Sequence, residues 1–285
     1  MCIRDRSWIV HRERLLLLGW GRAILLQFAH PLIARAVFEH SGFRDDRLGG
    51  WRRLHRTVWA MLFLTFGSEP QAAAAAGRIN AIHARVKGRA DGLTYSANDP
   101  DLMRWVHVTC VDSFLRAYEL YVGPLTSADR DAYCAESADG AALLGIDPDR
   151  LPHDHHALQE CMDAMHESGA LHVTEAARTL AHAVLHPQPR WLGWPVVGAV
   201  RRSTIALLPP AIRDGYGLRW SPREQRRFDR LVALVRTLRG WAPSWVAHWA
   251  IARKAMRRRA DRGAITPVLY SARAPRRMSP GGPPT

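Results

Sequence analysis

His83 is the residue whose surroundings best suit metal chemistry. Ile79, Ile82, His83 and Val86 recur at i, i+3, i+4 and i+7, the spacing of one apolar helix face, so His83 is expected to point inward. Two readings are open for an imidazole there. It is either a core histidine satisfied by one hydrogen bond, or an axial ligand to haem iron, which needs a dry and rigid support. The helix before it places Arg53, Arg56 and Thr57 on a shared face beside the apolar positions Leu54, Val58, Met61 and Leu62. Guanidinium groups near buried surface take anionic partners. Haem propionates or a reactive oxygen species at iron would serve. So would the carboxylates of neighbouring helices, if the face is an exposed basic stripe.

His30 follows Leu25, Leu26 and Phe28 and is expected to face the interior. The His30-Pro31 step breaks the helix and could leave backbone groups unpaired near a pocket. Glu39 stands beside His40, where it could act as a base or be an ordinary surface carboxylate. His153, His155 and His156 around Asp154 have a metal-binding composition, although a polar loop entering a helix accounts for them equally. His182 and His186 are four apart, but Ala, Val and Leu lie between them, so the H-E-x-x-H zinc pattern is absent. No G-x-S-x-G elbow and no glycine-rich phosphate loop after a strand is present, which removes support for hydrolase and nucleotide-fold readings.

These groups must be positioned by helices. Strict apolar/polar alternation is scarce, so no large sheet is expected. The patterns predict helices over 13–29, then from Pro31 to Glu39, a polar loop at 42–50, and a helix over 51–66. Ser68, Pro70 and Gln71 form a capping box that starts a helix running to Lys87, with Gly88 as its stop. Asp99-Pro100 opens a helix to Tyr121, and Thr126 caps one ending near Gly145. Further helices are predicted at 155–168, 174–186, 195–207, 222–238 and 243–259. Trp105, Val106 and Thr109 line one side of theirs as core or pocket wall. The opening residues MCIRDRS match no helix pattern and leave the natural N-terminus open.

The 285 residues, 47% of them apolar, can bury a sizeable core. The formal charge is +14, yet only Lys87 and Lys254 are lysine, and much of the excess crowds the C-terminal end. A solvated basic tail fits this better than specific nucleic-acid binding. Of four cysteines, none forms a C-x-x-C pair, and the three internal ones read as reduced thiols in helices, in keeping with a cytoplasmic protein. No signal peptide is seen, and no stretch reaches the roughly 18 uninterrupted apolar residues of a membrane span.

The run Gly21-Arg22-Ala23-Ile24-Leu25-Leu26-Gln27-Phe28-Ala29-His30-Pro31 resembles the opening signature of the MpaB-like oxygenase family, long catalogued as a domain of unknown function. His40-Ser41, Thr65-Phe66-Gly67, Ile82-His83, Tyr95 with Asp99-Pro100, Trp105-Val106-His107 and Val111-Asp112-Ser113 continue the pattern. The family is related to the latex clearing proteins, haem b dioxygenases that cleave polyisoprene. In those, a histidine on a core helix binds iron, and an Arg-x-x-Lys-Thr motif on the preceding helix lies on the distal side.

Here Arg53-Leu54-His55-Arg56-Thr57 stands at a similar distance before His83. The resemblance therefore implies His83 as the ligand of haem b iron, with Arg53, Arg56 and Thr57 near the distal side or the propionates. Glu39 falls near the family's catalytic acid, and His30 and His40 would line or brace the cavity. Arg56 replaces the lysine of the rubber enzymes. Arginine stays protonated and is a poor iron ligand, so a lysine-ligated resting state does not carry over.

The expectation is an all-α, single multi-helix domain over 12–259 that encloses a haem or ligand cavity, followed by a disordered basic tail at 260–285. Its activity would be that of a haem oxygenase using O₂ on a small apolar, isoprenoid or lipid-like substrate. Weak peripheral membrane contact is compatible with this. The rival is a non-catalytic haem- or lipid-binding helical protein.

Overall fold

The buried Arg22–Asp112 ion pair organises the centre of the chain, and it sits on helices whose starts are set by local capping. A computed structural model describes residues 5–40, 49–90, 92–187 and 194–262. Among these, the helices in chain order are α1 Asp5–His11, α2 Leu17–Phe28, α3 Pro31–His40, α4 Gly49–Phe66, α5 Glu69–His83, α6 Pro100–Tyr121 and α7 Ser127–Ala141. They continue as α8 His155–Glu167, α9 Glu175–Leu185, α10 Trp194–Leu207, α11 Pro210–Gly215, α12 Pro222–Trp241, α13 Ser244–Ala247 and α14 Ala250–Arg262. A two-stranded antiparallel hairpin, β1 Lys87–Ala90 and β2 Leu93–Ser96, follows α5. The fold is all-α, as expected.

Most starts follow the capping chemistry. Gln71 Oε1 accepts from the Ser68 backbone N–H at 2.9 Å, and Asp99 Oδ1 accepts from the N–H groups of Asp101 and Leu102. Each satisfies a donor that a helix start would otherwise leave free. Three expectations need correction. Part of MCIRDRS is helical, since α1 begins at Asp5. The last predicted helix is two, α13 and α14, separated at His248 and Trp249. Residues 87–90 form a strand, so α5 stops at His83 and Gly88 is no helix stop. Of the loop expected at 42–50, residues 49–50 open α4, and of the disordered tail expected at 260–285, residues 260–262 close α14; the rest of both lies outside the described residues.

Helix α2 is the innermost element, lying between α6 and α10. Small residues permit the close approach: a Cβ at Gly19 would sit 2.6 Å from the Ser113 carbonyl oxygen, and one at Gly21 would overlap the Thr204 hydroxyl. Arg22 is buried there. Its guanidinium pairs with Asp112 Oδ2 at 2.6 Å and donates to Ser113 Oγ at 2.7 Å and to the Leu207 carbonyl at 2.8 Å. Asp112 also accepts from Arg116 Nε and from Gln159 Nε2. Burial alone would raise the Asp112 pKa, but Arg22 and Arg116 hold it below the ordinary carboxylate value. One cluster thus fastens α2, α6, α8 and the end of α10.

A second buried carboxylate closes the chain. Glu13 is fully buried and receives both Nε and a terminal nitrogen of Arg239, at 2.8 and 2.7 Å, with His248 Nε2 3.0 Å away. The N-terminal segment is thereby clasped to the end of α12 and the start of α14. No single helix among the described residues is long and apolar enough to cross a membrane. The pair Arg14–Phe28 and Pro31–His40 has the length and composition together but is bent by 104°.

Removing Asp112 would leave the buried Arg22 charge without its counter-ion, a loss of about 3–5 kcal/mol for such pairs. Asp112→Ala is expected to lower the unfolding free energy by that order in a urea titration; a change under about 1 kcal/mol would contradict the central role of the pair. His11 and His107 are held neutral by burial, each with its pKa lowered to about 4. The unfolded chain then binds protons between about pH 6.5 and 4 that the folded chain does not. Stability should be full above pH 6.5 and fall as the pH drops toward 4. His11→Gln with His107→Gln should flatten that slope.

Candidate functional site

Of the candidate residues, Glu39 and His40 come together, through Tyr95, where the end of α3 meets the hairpin. His30 lies at the α2–α3 bend, half-buried, with Nδ1 shielded from water and without a hydrogen-bond partner. Burial, and then the proximity of His172, lower its pKa. Two carbonyls at the bend are paired. The Ala29 carbonyl accepts from His172 N–H at 2.9 Å, and the His30 carbonyl accepts from Ala34 N–H at 3.0 Å.

At the other end of α3, Glu39 and His40 converge on Tyr95. The Tyr95 hydroxyl donates to Glu39 Oε2, Arg35 Nε donates to Glu39 Oε1 at 2.5 Å, and His40 Nε2 lies 3.2 Å from the Tyr95 oxygen. Because the single phenolic proton goes to Glu39, the contact from His40 is satisfied by an Nε2–H donor. The Tyr95 hydrogen bond, with Arg35, holds the Glu39 carboxyl below its usual range. Burial and the Glu39 carboxylate push the Tyr95 hydroxyl up to about 12. Glu39 is therefore an ionised carboxylate that can accept a proton, fixed by two donors.

Tyr95 owes its position to Gly88, its register partner across the hairpin. A Cβ at Gly88 would overlap the Tyr95 ring and hydroxyl. That is the physical role of the glycine first read as a helix stop. Tyr95 then packs with Ala36, Leu32 and Val86. Val86 N–H donates to the His83 carbonyl at 3.1 Å, so the last turn of α5 is joined directly to this cluster.

His83 is half-buried, and its Nδ1 is shielded from water without a hydrogen-bond partner. Burial lowers its pKa, which favours the neutral imidazole with a lone pair. The apolar face predicted around it is not continuous. Ile82 is 61% exposed, and Val86 lies beyond the end of α5. Because the helix stops at His83, the i+7 position no longer maps onto its face.

On α4, Val58 and Leu62 are buried as predicted, while Arg56 and Thr57 are exposed. The side chain of Arg53 lies outside the described residues. His153, His155, His156, His182 and His186 join no cluster of three or more potential metal ligands among the described residues. Polar cavities among the described residues include two of similar size. One of about 360 Å³ is lined by Arg201, Arg202, Arg219 and Arg227, and one of about 350 Å³ by Arg22, Arg116, Gln159 and His166. His83 lines neither.

The family described as ER-bound oxygenase mpaB/B'/Rubber oxygenase, catalytic domain, matches residues 8–237. The chain belongs to this family. Its α1-to-α12 body is thus an oxygenase-family domain, and the Glu39–Tyr95 cluster and His83 both fall within the matched span. Two uncharacterized proteins, one from Mycobacterium bovis and one from Mycobacterium tuberculosis, are each 27% identical over 254 residues, covering 84% of this chain and 96% of the relative. No solved structure matches the chain.

Tyr95 and Arg35 were the site residues that residue chemistry alone did not single out. Tyr95 has no titratable neighbour in sequence; only the strand register brings it to Glu39. Tyr95→Phe removes the main cause of the lowered Glu39 pKa, so the carboxyl should titrate at a higher pH by ¹³C NMR. Gly88→Ala should shift it the same way by displacing the ring. An unchanged Glu39 titration in both variants would show that Tyr95 does not control it.

Proposed function

We propose that this chain is a haem b-dependent oxygenase that uses O₂ on a small apolar, isoprenoid- or lipid-like substrate, with His83 as the iron ligand. The carrying observation is the His83 imidazole: half-buried, biased to the neutral form, and with a ring nitrogen sealed from water but unpaired. An unsatisfied buried polar atom costs about 1–3 kcal/mol. A metal bond at this ring, or a hydrogen bond supporting one, would relieve that cost. His11, His30, His107 and His166 also carry a sealed ring nitrogen without a partner; what favours His83 among them as the axial ligand is its place after the Arg53–Thr57 helix in an oxygenase-family domain.

When bound, haem would supply the O₂ and electron chemistry that side chains lack. The chain's own residues would do the rest. Glu39, kept ionised by Tyr95 and Arg35, would accept a proton from substrate at its carboxylate. His40 would brace the Tyr95 hydroxyl and so the orientation of Glu39. His30, neutral at the α2–α3 bend, would line the pocket. Arg53 and Arg56 would offer guanidinium donors to anionic groups, and Thr57 a hydroxyl, from α4. A guanidinium at position 56 offers donors but no free lone pair, so Arg56 would not compete for iron.

The test is an absorption spectrum of protein produced with haem supply. Wild type should show a Soret band, and His83→Ala should lose it while keeping the wild-type far-UV dichroism. A folded, colourless wild type would overturn the assignment. Glu39→Gln should keep the Soret band and slow O₂ consumption with an isoprenoid or fatty substrate by about 10²–10⁴-fold, the range for lost acid–base catalysis. A haem-replete wild type that consumes no O₂ with such a panel would identify a binding protein instead.

A further inference from the structure

Helix α12 has two opposite faces of different character. One turns Phe228, Val232, Val235 and Arg239 toward the body of the domain. At 100° per residue, the opposite stripe runs through Arg223, Arg227, Arg230, Leu234, Leu238 and Trp241. Its first half is three exposed arginines, and its second half is exposed apolar surface. Leu234 is 56% exposed, Leu238 59% and Trp241 86%. The turn into α13 extends the apolar end with Trp245 at 64% and Val246 at 42%.

Scattered exposed apolar residues are ordinary; five in a span of thirteen positions, two of them tryptophan, mark an interaction surface. Asp229 lies off the stripe, and Glu224, beside it, pairs with Arg227 at 2.6 Å, so Arg223 and Arg230 carry the charge of the stripe. From 222 to 262 the sequence holds twelve arginine or lysine residues and three carboxylates.

We infer that this stripe docks the protein onto an anionic lipid bilayer, with the Leu234–Val246 end set into the interface and Arg223 and Arg230 at headgroup level. The chemistry separates this occupant from others. A nucleic acid would pair with the arginines but offers nothing to Leu234, Leu238 and Val246. A second copy of this surface would set the guanidinium groups against each other or against apolar side chains, with no carboxylate on the stripe to receive them. An anionic membrane surface meets both halves at once: headgroups for the arginines, the acyl boundary for leucine and valine, and the region between for tryptophan. This is attachment at the surface, since no single described helix is suited to cross.

The experiment is co-sedimentation of the full chain with vesicles of phosphatidylcholine alone and of phosphatidylcholine with 30% phosphatidylglycerol, a composition chosen on the order of an anionic leaflet. Wild type should partition at least tenfold better into the anionic vesicles, and raised salt should weaken that preference. Trp241→Ser with Trp245→Ser should reduce partitioning about tenfold or more, and Arg223→Gln with Arg230→Gln should remove most of the anionic preference. All four positions are exposed, so far-UV dichroism and the melting temperature should stay unchanged. Three results would each overturn the inference. One is no association with either vesicle. Another is association that survives the tryptophan changes but is lost on deleting residues 263–285, which would assign it to that segment. The third is a wild-type dimer that the tryptophan changes convert to monomer, which would make a second copy the occupant.

Discussion

The Arg22–Asp112 pair is the constraint from which the site's geometry follows. A buried charge is tolerable only with a counter-ion and satisfied hydrogen-bonding groups. Arg22 meets that requirement by drawing on three places at once: the Asp112 carboxylate, the Ser113 hydroxyl and the Leu207 carbonyl. Those contacts fix the rotation and height of α2 between α6 and α10. Gly19 and Gly21 are then obligatory, because the contacts close only if the helices approach within the space of a missing Cβ. With α2 fixed, Pro31 and the 104° bend set the direction of α3, and α3 carries Glu39 and His40 to Tyr95.

Helix starts were legible in the sequence because their chemistry is local. Ser68 with Gln71, Asp99 before Pro100, Thr126 and Ser221 each satisfy donors within three residues. Helix ends were less legible. Gly88 after a helical pattern is the usual mark of a stop, but its lack of a side chain serves Tyr95 across a hairpin. Nothing local distinguishes the two uses; the strand register does. Arg22 stood in the sequence only as one letter of the Gly21–Pro31 run, since its partners lie about ninety and more residues away. Glu13 was likewise hidden, because its partners Arg239 and His248 are at the far end of the chain.

The candidate site shows the same division. His83 was found by residue type and spacing, although the face that drew attention to it is interrupted at Ile82. What survives is the half-buried imidazole and its unpaired nitrogen. Glu39, read as a possible base, and His40 were found as sequence neighbours, and Tyr95 joins them. The backbone bond from Val86 to the His83 carbonyl is what links the end of α5 to the apolar packing around Tyr95.

Nearly all of the chain's positive charge being arginine has structural consequences beyond the net charge of +14. Both internal anchors depend on the guanidinium geometry. Arg22 donates in three directions from one planar group, and Arg239 grips both oxygens of Glu13. A lysine at either position could neutralise its carboxylate, but its compact ammonium could not keep the same spread of donors aligned. At position 239 this geometry also decides which face of α12 turns inward. With Phe228, Val232 and Arg239 committed to the body, the stripe through Leu234, Leu238 and Trp241 has to face out. The buried clasp on Glu13 and the exposed apolar surface are therefore two faces of one helix, and the rotation set by the first determines the presentation of the second.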